Sequence, residues 1–272
     1  MSIDISKLKM PGLSIQGLQM MEMLAKDDVD ISALADIAAK DVTLSASIIK
    51  YANSPLYRRA AEITNVRNAI SILGLKSIRT ATSVAAMRAM SDDDNIMVEG
   101  ILEHCNTISA LTKLIAKECA PDLADNAEFS AMLHDLGAIV LASNFKEQYQ
   151  AIKTAADTQQ QPLEAAESDA FSLSHDDILA TLAEKMRLPQ VTLQALDNLH
   201  TRPSFVTIES DAQKISAIIS LAHHLEAHIY PETYTLESLP DSQESLESLL
   251  SISPDDIDEI IETYQDLISN EF

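Results

Sequence analysis

Apolar residues recur at the three- and four-residue spacing of an α-helix along almost the whole chain. The spacing is clearest in segments 95–119 and 253–269, where isoleucine and leucine repeat on one helix face. No segment alternates apolar and polar residues over a useful length, and only 5 glycines and 9 prolines interrupt the 272 residues. The sequence therefore predicts an all-α fold.

Capping residues mark where several of these helices begin and end. Asp30, Asp41 and Asn65 each precede an apolar helical segment, and a side-chain oxygen at that position can accept a hydrogen bond from the first turn. Gly74 is placed to end the helix that starts after Asn65, with another helix following it. Ser253 stands before a proline at the start of the last helix.

The chain is strongly acidic, with a formal net charge of −23. The last basic residue is Lys214, and the stretch after it carries 13 Asp and Glu residues. A surface this negative repels phosphate backbones and anionic lipids, so we expect neither general nucleic-acid binding nor membrane binding. The acidic surface is interpreted as a solvated one, and an electrostatic patch for a basic partner is the alternative.

The two cysteines, Cys105 and Cys119, form no CxxC motif and lie in apolar helical segments. We therefore expect them to pack as small core residues in a reducing compartment. The first residues lack the apolar core of a signal peptide, and no run of about 18 apolar residues suggests a membrane span. These features predict a cytoplasmic protein.

His134 and Asp135 are the residues most suggestive of chemistry, because they interrupt an apolar segment predicted as one helix over 125–143. His104 lies thirty residues earlier on the preceding helix. If the two helices pack antiparallel through the break near Pro121, His104 can face His134 and Asp135. Two imidazoles and a carboxylate could hold a transition metal, and a structural histidine–carboxylate hydrogen bond is the alternative.

An ordered series of motifs resembles the HDOD family, a branch of the HD metal-dependent phosphohydrolase superfamily. The resemblance covers roughly residues 8–228, and it implies two packed helical lobes. The matching segments are Met10 to Leu13, Asp41 to Tyr57, Ala69 to Gly74, Glu128 to Val140, and His175 with Leu188-Pro189.

Two departures from the superfamily pattern bear on activity. His223 falls near the position of the last metal ligand of the catalytic superfamily, an aspartate, and Ala138 replaces a lysine often seen in active relatives. The HDOD branch is generally regarded as lacking phosphohydrolase activity. The resemblance therefore implies a signalling role and a degenerate metal site formed by His104, His134, Asp135 and His223.

Two further groups could bind ligands. Arg58, Arg59 and Arg67 form one of the few basic clusters and could receive an acidic partner or a phosphorylated ligand, although a solvated basic face is the favoured interpretation. His224 and His228 share a helix face and could form a metal pair, with a histidine-rich surface helix as the alternative. We expect His175 to make local hydrogen bonds at a helix start.

These observations predict an N-terminal helical lobe over 1–92, an HD-like lobe over 93–230 and an acidic helical extension over 231–272. The predicted function is a non-catalytic signal-transduction module that binds a signalling protein or a small ligand. Self-association is compatible with this role, and no cofactor is expected. The alternative is a metal-dependent phosphohydrolase in which His223 replaces the distal aspartate and a divalent metal is required.

Overall fold

The computed structural model describes residues 3–9, 14–24, 28–57, 62–89, 95–185, 188–197, 199–200, 202–231 and 239–269. Within these ranges the regular secondary structure is helical throughout, which confirms the predicted all-α fold. The chain divides into two units, here called the N-terminal unit (10–94 with 265–272) and the HD-like unit (1–9 with 95–264). The three-part division into 1–92, 93–230 and 231–272 stays a prediction.

Four helices lie wholly within the described residues of the N-terminal unit, and three of them start at the predicted caps. Asp30, Asp41 and Asn65 each accept a backbone hydrogen bond from the first turn of the next helix. Gly74 has φ 69°, a conformation that glycine adopts without strain, and it kinks the last helix where the sequence predicts a break. The helices are α1 (Ile15–Leu24), α2 (Ile31–Ala38), α3 (Val42–Ala52) and α4 (Val66–Arg88).

The HD-like unit packs α5 against α6 and α12, and it packs α7 against α10. Lys113 of α5 holds the first of these pairs together, because its Nζ lies 2.6 Å from Oε2 of the fully buried Glu128 on α6. The helices are α5 (Ile96–Cys119), α6 (Ala124–Leu133), α7 (Leu136–Asn144), α8 (Lys146–Gln159), α9 (Leu163–Phe171), α10 (His175–Lys185), α11 (Gln190–Leu196), α12 (Asp211–Ile229), α13 (Gln243–Leu250) and the part of α14 (Pro254–Ser269) up to Tyr264.

Two helix predictions in this unit are wrong. Residues 125–143 form two helices rather than one, since α6 ends at Leu133 and α7 begins at Leu136. Asp135 takes φ −101° and ψ 19° between them, outside the helical range, so the break falls on the two residues of chemical interest. The helix predicted over 189–200 ends at Leu196, which leaves His200 in the loop that follows.

Beyond residue 231 the described chain forms α13, which packs on α12, and α14. Ser253 caps α14 as predicted, because its hydroxyl accepts from the N–H of Asp256 while that carboxylate accepts from Ser253. Among the helices described, none has both the length and the apolar character needed to cross a membrane.

Candidate metal centre

Three histidines from three different segments meet inside the HD-like unit. His104 comes from α5, His134 from the end of α6 and His223 from α12, and one ring nitrogen of each lies within 4.8 Å of the others. Nε2 of His104 is 3.1 Å from Nε2 of His134. The structure thus brings together residues that are 30 and 119 positions apart from His104 in sequence.

Backbone carbonyls set the orientation of two of these rings. Nδ1 of His134 donates to the carbonyl of Ala131 at 2.6 Å, and Nδ1 of His223 donates to the carbonyl of Ile219 at 2.8 Å. A carbonyl can only accept, so each Nδ1 carries the proton and each neutral ring keeps its lone pair on Nε2. The lone pair of His134 is therefore on the nitrogen that faces His104.

A carboxylate sets the orientation of the third ring, that of His104. Nδ1 of His104 lies 2.7 Å from Oε2 of Glu226, one helical turn after His223 on α12. In a neutral His104 ring, a carboxylate there favours the proton on Nδ1, and the Nε2 lone pair then faces Nε2 of His134. Two acceptors at this separation are stabilised by a cation bound between them, and carbonyl or carboxylate partners on the other nitrogen are typical of metal-binding histidines.

Asp135, His175 and His200 form a second group of potential ligands beside the first. Asp135 lies between the two groups, because its Oδ1 is 3.7 Å from Nε2 of both His134 and His175, and its Oδ2 is 3.8 Å from Nε2 of His104. The five histidines and Asp135 therefore form one continuous cluster.

Glu167 of α9 positions His175. Its carboxylate accepts from both the backbone N–H and Nδ1 of His175, at 2.8 and 2.7 Å, and also from the hydroxyl of Tyr149. Burial opposes a charge on His175, but Glu167 and the nearby carboxylates of Asp135 and Asp176 outweigh it and raise the His175 pKa to about 10.

Gly137 permits this packing. A Cβ at this position would lie 2.0 Å from the backbone oxygen of His175, so only glycine lets α7 approach the start of α10 this closely. The approach places His175 beside Asp135.

His200 completes the second group from a loop. Its Nδ1 is 3.1 Å from Oδ1 of Asp176 and 3.3 Å from Nε2 of His175. Burial opposes the charge of Asp176, but the hydrogen bond and charge of His200 prevail and lower the Asp176 pKa.

The cluster is nearly closed to solvent. His134, His175 and His223 are fully buried, and His200 is 2% exposed. The His104 side chain, at 20% exposure, is the most accessible of the five histidines.

The donor set fits a divalent transition metal. Imidazole nitrogens with one or two carboxylate oxygens suit Zn²⁺ and similar ions better than the hard ions Mg²⁺ and Ca²⁺, which prefer oxygen ligands. In the first group, His104, His134 and His223 would hold an ion, with Asp135 adjacent. In the second group, Asp135, His175 and His200 would do so.

The remaining predicted site residues lie elsewhere. Arg67 forms an exposed ion pair with Asp36 in the N-terminal unit, where its Nη2 is 2.5 Å from the carboxylate. Arg58 and Arg59 lie outside the described residues. His224 donates to a backbone carbonyl and His228 is exposed; the metal pair suggested for them stays a prediction without supporting geometry.

Sequence reasoning missed two members of the cluster, His175 and His200, and the two glutamates that contact it, Glu167 and Glu226. His175 was expected to bond locally, and it does bond Glu167 eight residues away, but it also reaches Asp135 and His200. A usable signal existed for His175, because it begins the last segment of the family resemblance. Glu167 and Glu226 carried no signal, because an isolated glutamate in a helix is most often a surface residue.

Residues 10–202 match the family model of the HDOD domain. A crystal structure of an HDOD domain protein of unknown function from Geobacter sulfurreducens is similar in fold, with a TM-score of 0.68 and 20% identity over 98% of this chain and 90% of that chain. His223 and Glu226 lie beyond the end of the family match.

Two further crystal structures share the fold. One from Marinobacter aquaeolei VT8, provisionally named a signal transduction protein, has a TM-score of 0.73 and 16% identity over 98% of this chain and 63% of that chain. One from Shewanella amazonensis SB2B, provisionally named a metal-dependent phosphohydrolase, has a TM-score of 0.59 and 19% identity over 95% of this chain and 94% of that chain.

An uncharacterized protein of Treponema pallidum (strain Nichols) is 21% identical over 194 residues, or 71% of this chain. The match spans 38% of that protein's length. Because the family model covers well over half of the sequence, this chain belongs to the HDOD domain family.

Proposed function

We propose that this chain is a signal-transduction module that acts by binding a signalling protein, and that its HD-like unit holds a divalent transition-metal ion in the histidine cluster. One observation carries the metal assignment. One ring nitrogen of each of His104, His134 and His223 lies within 4.8 Å of the others, the Nε2 atoms of His104 and His134 are 3.1 Å apart, and a carbonyl or carboxylate faces each Nδ1.

Burial of the ligands favours a binding role over hydrolysis. Structural metal sites are closed by protein ligands, whereas catalytic ones keep a position open for water or substrate. Four of the five histidines are at most 2% exposed, so the protein itself encloses most of the centre. The substitution of His223 for an aspartate also removes a negative charge, and the fully buried Ala138 supplies no cation for a phosphate.

A metal-dependent phosphohydrolase is the second candidate, and the position of Asp135 favours it. This carboxylate lies between the two groups of potential ligands, an arrangement that suits neighbouring ions. A bound metal would polarise a phosphoester and lower the pKa of a water ligand. Glu226 would hold the ring of His104, the most accessible histidine, in place beside the substrate.

Metal analysis of the purified full chain tests the proposal. We expect bound Zn²⁺, Mn²⁺ or Fe²⁺, and an added ion at 100 times its Kd should raise the free energy of unfolding by about 2.7 kcal/mol. His134→Ala should lose this gain because it removes a ligand, while His228→Ala should keep it because His228 is exposed on the same helix as His223. A metal-free chain that no divalent ion stabilises would contradict the metal assignment.

A hydrolysis assay separates the two candidates. The metal-loaded chain is incubated with a generic phosphodiester, a nucleotide and a cyclic dinucleotide, and release of product is measured. The binding module predicts the same background rate for the wild-type chain and His134→Ala. Turnover that disappears in His134→Ala but persists in His228→Ala would establish the hydrolase instead.

A further inference from the structure

Arg202 joins the loop that carries His200 to α12 and to the segment after residue 239. Its Nε and Nη2 donate to the hydroxyls of Ser216 and Ser220 on α12, at 3.2 and 3.1 Å. Its Nη1 forms an ion pair with Oδ2 of Asp241 at 2.7 Å, and the two side chains are 9% and 1% exposed. We call this buried pair the Arg202–Asp241 clasp.

Asp241 makes two more contacts that strengthen the clasp. Its Oδ1 accepts from the backbone N–H of Phe205 at 2.8 Å, and its backbone carbonyl accepts from Nε2 of His224 at 2.9 Å. The ring of Phe205 also lies 3.6 Å from the guanidinium of Arg202, in cation–π geometry. One aspartate therefore fixes both the 202–205 loop and α12.

Both connected segments carry members of the histidine cluster. Arg202 follows His200 by two residues, and Ser220 precedes His223 by three residues on α12. His224, which bonds Asp241, is the immediate neighbour of His223. Displacement of Asp241 would therefore release constraints on both sides of the centre.

The same C-terminal segment also contacts α5, the helix of His104. The hydroxyl of the buried Tyr264 donates to Oγ1 of Thr107 at 3.2 Å. Thr107 lies three residues after His104, about one helical turn away. Residues 239–264, here called the C-terminal brace, thus contact two of the three helices that supply the first histidine group, α5 and α12.

We propose that the C-terminal brace regulates the metal centre, with Asp241 as its positioning residue. This inference rests on the proposed metal site and deepens it. Docking of the brace keeps the ligand geometry tight, and its release weakens metal binding. By thermodynamic linkage, a bound metal strengthens docking of the brace to the same degree, so a protein that captured the released brace would compete with the metal.

Asp241→Asn in the full chain tests the brace, with Asp258→Asn as the matched control. Both variants remove one negative charge from the C-terminal brace, but Asp258 is exposed. Residues that orient metal ligands typically change affinity by 10- to 100-fold, so we expect Asp241→Asn to weaken Zn²⁺ binding about 10-fold. The Co²⁺ absorption spectrum should also change, since it reports ligand geometry. Asp258→Asn should match the wild-type chain in both measurements.

Hydrogen exchange of the metal-free chain separates failure of the brace from failure of the metal site. Faster exchange in residues 202–205 and in α12 of Asp241→Asn supports the brace even if no metal binds. Unchanged exchange in residues 202–205 and α12 overturns the proposed role of the brace. If the wild-type chain binds Zn²⁺ and Asp241→Asn binds it with the same affinity, the proposal is overturned as well. If Asp241→Asn fails to fold, Ser216→Ala is used instead, because it removes only the hydrogen bond from Arg202 to Ser216 of α12. Hydrogen exchange and Zn²⁺ affinity are then measured on that variant and judged in the same way.

Discussion

The two units of this chain fill their interiors in different ways. Among the described residues of the N-terminal unit, the buried polar side chains all carry a hydroxyl group: Ser47, Ser77, Thr80, Thr82 and Ser83. The HD-like unit buries many ionisable side chains: Lys113, Glu128, His134, Asp135, Glu164, Glu167, His175, Asp176, His200, His223, Glu226 and Asp241.

This difference shows that the ionisable interior is not a requirement of helical packing. Burial of a charge costs several kcal/mol unless a partner compensates it, whereas a hydroxyl can bond a carbonyl of its own helix. Thr82 does so with the carbonyl of Ile78 at 2.8 Å. The N-terminal unit therefore serves as an internal reference, and the contrast supports the proposal that the histidine cluster binds a ligand.

The largest predicted effect concerns the buried ion pair between α5 and α6. Lys113→Met should lower the free energy of unfolding by about 3–5 kcal/mol, because Glu128 would stay buried without its ammonium partner. Urea denaturation measures the loss. Thr82→Val is the counterpart in the N-terminal unit, and it should cost no more than about 1 kcal/mol because it removes a single neutral hydrogen bond.

A double variant sharpens this comparison. Lys113→Met combined with Glu128→Leu replaces both charges with apolar groups of similar size, and it should recover most of the stability lost by Lys113→Met. If Lys113→Met and Thr82→Val proved equally mild, the contrast drawn between the two interiors would be wrong.

A smaller effect is expected from Gly137→Ala. The added methyl group would meet the backbone oxygen of His175, so we expect a loss of about 1–3 kcal/mol in urea and weaker metal binding as α7 and α10 separate. Gly100→Ala is the matched control, since nothing lies within 4 Å of a Cβ there, and it should stabilise α5 by about 0.5–1 kcal/mol. Equal effects of the two substitutions would refute the close approach.

The smallest effect should come from the cap of α3 in the N-terminal unit. Asp41→Ala should cost about 1 kcal/mol at pH 7, because the N–H of Leu44 loses its acceptor. That hydrogen bond also lowers the Asp41 pKa below its ordinary value of 3.8. The stabilisation is therefore complete above that value and is lost as the pH falls through the folded-state pKa.

The pH dependence of unfolding provides the measurement. The difference in stability between the wild-type chain and Asp41→Ala should shrink as the pH falls below 3.8, the ordinary pKa of the group, while metal binding at neutral pH should not change. A difference that stays constant down to pH 2 would show that the carboxylate charge does not stabilise the helix start.

The sequence by itself determined the helical class, several helix starts and part of the candidate centre. Caps such as Asp41 and the break at Gly74 were predictable because they depend on residues a few positions apart. His104, His134 and Asp135 were predictable because they lie on consecutive helices, where a short connection brings neighbours together. The place of His223 came from the family resemblance alone.

Only the tertiary structure decided the rest of the cluster. His175, His200, Glu167 and Glu226 join it through packing between distant segments, which no local pattern encodes. The break at His134-Asp135 was also missed, because the apolar spacing continues through both residues. A helix start depends on contacts within one turn, while a buried cluster depends on which faces meet across the fold, and that is the physical reason for the divide.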